Sequence, residues 1–148
     1  MKKIILALLI CGSLHTFAQK TNFSGTWTLN SDKTDFGKAP QWIIPKTIKV
    51  DQQADELALT RTSLDQDLKE LPPVSYTLTF DGKPLDYKGN AITLSWPGNS
   101  TLHIDRKAAQ SSAEDWTLED DGKTLVIDRY VEQASGLKYE IKCYYSKS

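Results

Sequence analysis

From residue 24 onward, apolar side chains recur at every second position. The pattern is plain in Trp27/Leu29, Ile48/Val50, Leu57/Leu59 and Val74/Tyr76/Leu78/Phe80. It continues through Leu85/Tyr87, Ile92/Leu94/Trp96, Leu102/Ile104, Trp116/Leu118, Leu125/Ile127 and Tyr139/Ile141/Cys143/Tyr145. Mostly Thr, Lys, Asp and Glu occupy the intervening positions. A two-residue period places one face of each segment against a core and the other in water, which is the signature of β-strands.

Turn chemistry separates the segments. Asp81-Gly82 and Asp121-Gly122 are strong hairpin signals, and Lys88-Gly89-Asn90 and Pro97-Gly98-Asn99 are further turns. Ten strands are predicted, at about 24–30, 46–51, 56–62, 74–80, 84–88, 91–96, 100–106, 112–119, 123–131 and 136–146. No segment is long and periodic enough for a major helix. One helical turn is expected within residues 31–45, and another within 64–71, where Leu64, Leu68 and Leu71 stand at helical spacing.

Short connections between successive strands describe an antiparallel meander. One flat sheet of this size would leave two edges and a bare apolar face, and closure into an up-and-down barrel removes both. A sandwich competes, but it requires longer crossing connections than this chain offers. The expected class is therefore all-β, an up-and-down antiparallel barrel of 8–10 strands.

The segment Phe23-Ser24-Gly25-Thr26-Trp27-Thr28-Leu29 resembles the Gly-x-Trp opening of lipocalins and fatty-acid-binding proteins, the calycin barrels. The fatty-acid-binding signature continues with Asn-Phe, whereas Asn30 is followed here by Ser31. Asn30-Ser31-Asp32-Lys33-Thr34-Asp35-Phe36-Gly37 is similar to small secreted lipocalin-like bacterial proteins of uncharacterised function. So is Trp116-Thr117-Leu118-Glu119-Asp120-Asp121-Gly122-Lys123-Thr124-Leu125. The resemblance implies a lipocalin-like barrel.

In such a barrel all odd-numbered strands end at one rim. Both long connections, 31–45 and 63–73, fall there, and the opposite rim carries only tight turns. Long loops on a rigid scaffold are where function concentrates, so the mouth is expected at that rim. The first loop holds Trp42-Ile43-Ile44 between Pro40 and Pro45. Three large apolar residues must either plug the barrel end or form a lid over a ligand.

Three arginines stand on the apolar phase. Arg61 follows Leu57/Leu59, Arg106 follows Leu102/Ile104, and Arg129 follows Leu125/Ile127. Each lies at the end of an odd-numbered strand, hence at the long-loop rim. Tyr76 and Tyr139, early on even-numbered strands, fall near it too. An inward guanidinium needs a carboxylate, a carbonyl or a ligand anion. Its planar fork suits a carboxylate, and a tyrosine hydroxyl beside it completes an anchor. The set resembles the Arg/Arg/Tyr arrangement of the intracellular fatty-acid barrels. The candidate ligand-binding residues are thus Arg61, Arg106, Arg129, Tyr76, Tyr139 and Trp42. Two structural alternatives stand beside this: snorkelling into water, and, as the resemblance to lipocalins implies, a clasp of Arg129 across Trp27.

The opening residues change the chemical picture. Met1-Lys2-Lys3, an apolar run from Ile4 to Ile10 and a small Ala18 before Gln19 read as a secretory signal peptide cleaved after Ala18. The domain is then 19–148, and its formal charge falls from −1 to −3 as Lys2 and Lys3 leave. The run is too short to span a membrane. A periplasmic or extracellular site is expected, with lipid anchoring at Cys11 the lesser alternative. Cys143 becomes the only thiol, so no internal disulfide forms.

Balanced charge argues against nucleic acid. Past the leader there is one histidine, His103, on the outward phase, while Cys143 is inward. No Cys–His pair, Ser–His base, inward haem ligand, calcium loop or phosphate loop emerges, so neither catalysis nor a metal or other cofactor is expected. The expected function is binding of a small hydrophobic or amphipathic molecule with an acidic head. In the alternative, Trp27, Phe80, Trp96, Trp116 and Tyr145 fill the barrel, and it works as a protein-interaction module through its outer surface.

Overall fold

The computed structural model describes residues 19–148, and the leader expected at 1–18 lies outside them. Ten strands form: β1 (Gly25–Leu29), β2 (Thr47–Gln52), β3 (Glu56–Thr62), β4 (Val74–Thr79), β5 (Leu85–Tyr87), β6 (Asn90–Ser95), β7 (Leu102–Lys107), β8 (Ser111–Glu119), β9 (Thr124–Glu132) and β10 (Lys138–Lys147). Alternation and turn residues place every one of them to within two residues. All ladders are antiparallel, in the order β4-β3-β2-β1-β10-β9-β8-β7-β6-β5. The result is a nearly closed up-and-down antiparallel barrel. Among the described residues, no helix is long and apolar enough to cross a membrane.

The barrel does not close its backbone seam as full closure requires. The Asp81-Gly82 turn connects β4 and β5, yet no ladder joins them, so both edges persist. The Asp81 carboxylate instead accepts the Lys83 backbone N–H at 3.0 Å and the Thr79 hydroxyl at 2.6 Å. Rings cover the gap: Tyr76 of β4 and Tyr87 of β5 lie 5.5 Å apart, centre to centre. A packed aromatic pair contributes through area and quadrupole contact without backbone hydrogen bonds.

The expected helical turn at 64–71 is also absent. Asp65 Oδ1 accepts the N–H groups of Asp67 and Lys69, and Leu68 takes a positive φ of 61°. A side chain that captures nearby N–H groups competes with the helix, and Pro72-Pro73 prevents its continuation. The first long loop does hold one 3-10 turn, Gln41–Ile43.

The core fills the lower barrel. Trp27, Trp116, Tyr145 and Phe23 are fully buried. Phe23 lies across the tight-turn end, 6.0 Å from Trp96 and 6.1 Å from Trp116 between ring centres, and Phe80 stacks on Trp96 at 5.6 Å. The cation over Trp27 is Lys147, at 5.2 Å, and not Arg129 as a clasp would have it. Gly25 explains the spacing of the opening motif. Its φ is +144°, and a β-carbon there would stand 2.7 Å from Lys147 Cε. Gly25→Ala is expected to cost about 1–3 kcal/mol through backbone strain, read as a lower urea midpoint at unchanged m-value.

Candidate functional site

Parity brings Arg61, Arg106 and Arg129 to one place. They line a cavity of about 540 Å³ at the long-loop rim, together with Tyr76, Val74, Ile43, Pro45 and Lys88. Among the described residues, none of the side chains lining it is acidic. The volume falls within the range of small-molecule sites. The filling residues of the lower barrel are all present, but they stop short of the mouth.

The floor is an ion cluster built on Glu114. This residue of β8 precedes Trp116 by two, so it shares the inward phase, and it faces Arg129 across the β8–β9 ladder. Arg61 grips both its oxygens at 2.8 Å, and Arg129 Nη1 donates to Oε1 at 3.0 Å. Trp116 Nε1 donates to Oε2 at 2.9 Å. Four donors saturate the carboxylate. Burial alone would push the Glu114 carboxyl up. The two guanidinium charges and the hydrogen bonds from Arg61 and Trp116 outweigh burial and hold it well below the usual carboxylate range. Burial likewise opposes the charge on Arg61, but Glu114 restores it and raises its pKa.

The three arginines differ in what they have left. Arg61 is buried, and neither its Nε nor that of Arg129 has a partner. Arg106 is only half-buried, and its Nη2 donates to the Tyr76 hydroxyl at 3.2 Å. Its guanidinium also lies 5.8 Å from the Tyr76 ring centre. Arg106 therefore retains most of its donors for the cavity.

Two candidates stand elsewhere. Trp42 is half-buried against the core and does not line the cavity, whereas its neighbour Ile43 does. Ile43 and Ile44 pack into the core, and Tyr145 donates its hydroxyl to the Pro45 carbonyl at 2.9 Å. This is the plug geometry. Tyr139 sits opposite Val131 and lines a separate depression of about 280 Å³ with Ser111, Ala113 and Lys138. Glu114 is the residue the alternation argument missed. Its signal was the same as for the arginines, a charge on the apolar phase of Trp116 and Leu118.

On the outer wall, His103 Nδ1 lies 2.6 Å from Asp115 Oδ1, both partly exposed. Cys143 is buried, which pushes its thiol up to about 12 and makes it unreactive. No group of three or more His, Cys, Asp or Glu suited to a metal occurs among the described residues.

Neither a protein-family model nor a curated protein sequence matches the chain. The solved structures include a clear fold match, zebrafish ileal bile acid-binding protein complexed with cholic acid. It is 17% identical, with a TM-score of 0.55, over 85% of this chain and 98% of that one. The likeness establishes the shared barrel fold.

Proposed function

We propose that this barrel binds a small amphipathic molecule at its long-loop rim, with an acidic head on the arginines. The observation that carries the reading is the cavity itself, which three arginines line while only two of them are tied to the buried carboxylate. The similarly folded protein holding cholic acid supports the reading. Arg106, backed by Tyr76, receives the head, while Arg61, Glu114 and Arg129 form its preorganised floor. Apolar portions lie against Ile43, Pro45, Val74 and Tyr76. The packed lower barrel favours a ligand that stays in the mouth over one threaded through the core. The protein is read as a carrier or sensor and not an enzyme, acting outside the cytoplasm after removal of residues 1–18.

Trp116 reports on the site because its indole touches Glu114 and its ring lies 5.6 Å from the Arg61 guanidinium. Titration with decanoate should give a saturable change in tryptophan fluorescence, and decanol should bind more weakly. Arg106→Ala should weaken decanoate by about tenfold or more, the worth of a charge-assisted hydrogen bond, and leave decanol nearly unchanged. Absence of any saturable signal, or equal losses for acid and alcohol, would reject the reading.

A further inference from the structure

We infer that the head group recognised at this mouth carries two negative charges on one compact centre, as a phosphate monoester does. The inference rests on the anion-binding reading above and specifies its ligand class.

Charge balance leads to it. Arg61, Arg106 and Arg129 supply three positive charges along one cavity, and Glu114 beneath two of them supplies one negative charge. That carboxylate accepts from four donors and has no lone pair left to offer. Two positive charges remain uncompensated, and Lys88 adds a third cation at the lip. A monocarboxylate neutralises only one of them. Net positive charge along the pocket wall attracts anions, and a second negative charge on the ligand neutralises what a monocarboxylate leaves.

Donor geometry points the same way. Arg106 on β7 keeps all but one of its donors, the Tyr76 hydroxyl on β4 accepts that one and has its own proton to give, and the Lys88 ammonium stands at the β5–β6 turn, so donors meet the cavity from three elements. A planar carboxylate has two oxygens in one plane and meets such a set only in part. The three terminal oxygens of a phosphate monoester spread over a tetrahedron and can accept from all of them. This anchor also differs from a plain arginine–tyrosine carboxylate clamp, because its own internal carboxylate already fills the carboxylate position between Arg61 and Arg129.

The test compares decyl phosphate, decanoate and inorganic phosphate on the intact domain 19–148 at pH 8. There the monoester is a dianion, since its second pKa is about 6. Calorimetry and tryptophan fluorescence provide the readouts. Decyl phosphate should bind at least about tenfold more tightly than decanoate, as one further charge-assisted hydrogen bond supplies. Lowering the pH to about 5, where the monoester keeps a single charge, should remove most of that preference. Inorganic phosphate binding as tightly as decyl phosphate would assign the site to a free phosphorylated solute. Much weaker inorganic phosphate would assign it to a lipid-like monoester. Both uphold the dianion. Equal affinity for decanoate and decyl phosphate would overturn the dianion while leaving the anion-binding reading intact. Failure of all three probes would reject both.

Discussion

Glu114→Gln should be the most damaging conservative substitution in this protein, lowering the unfolding free energy by about 3–5 kcal/mol at neutral pH. That is the usual cost of stripping one partner from a buried ion pair. Here the carboxylate holds two inward guanidiniums and an indole N–H, all at 3.0 Å or closer. Gln has nearly the same shape, but its amide nitrogen would point a donor at donors. Urea unfolding followed by circular dichroism measures the loss. A double replacement, Arg61→Met with Glu114→Leu, should cost clearly less than the sum of the two single changes, because it removes the charges together.

The same residue dictates an acid limb. The folded carboxyl titrates well below its ordinary range, so protons bind preferentially to the unfolded chain. The stabilisation is complete above the unfolded pKa of about 4.3 and is lost as the pH falls from there through the depressed folded pKa. The wild-type chain should therefore lose stability steeply in acid, and Glu114→Gln should lose less over the same interval. Parallel stability curves for the two proteins would contradict the ion cluster.

Trp27→Ala should cost a similar amount, about 3–5 kcal/mol, through the cavity it leaves. Trp27 is fully buried, opposite Ile48 on β2 and Lys147 on β10, where β1 stitches the two ends of the chain together. Its Nε1 donates to the Phe23 carbonyl at 2.9 Å, which ties in the residue covering the tight-turn end. Trp27→Phe keeps most of the apolar volume and should lose much less. Neither change touches the arginine mouth, so decanoate affinity measured well below the unfolding transition should be unaltered. A loss below about 1 kcal/mol for Trp27→Ala would show that this part of the barrel is poorly packed.

The arginines of the mouth and the carboxylate beneath them were legible in the sequence to different degrees. The inward phase of Arg61, Arg106 and Arg129 follows from counting in twos, and strand parity places them at one rim. Glu114 obeys the same count, but acidic residues are common on this chain and phase alone does not single one out. The hairpin reading of Asp81-Gly82 failed for another reason. The dipeptide specifies a turn, whereas pairing of the flanking strands depends on how the two barrel edges meet. In residues 64–71, leucine spacing suggested a helix, and the Asp65 carboxylate took the backbone donors instead.

The sequence by itself determined the ten strands, the face each side chain takes and the rim that carries the long loops. These are local matters, set by the two-residue period and by turn residues within a few positions. Tertiary structure alone decided the partners. Arg61 and Glu114 are 53 positions apart and meet only because the barrel curves β3 towards β8 across its interior. Curvature and stagger also decided that Tyr76 reaches Arg106 while Tyr139 does not, and that packing fills the barrel below the mouth. Such distances depend on the closure of the whole sheet, which no local pattern encodes.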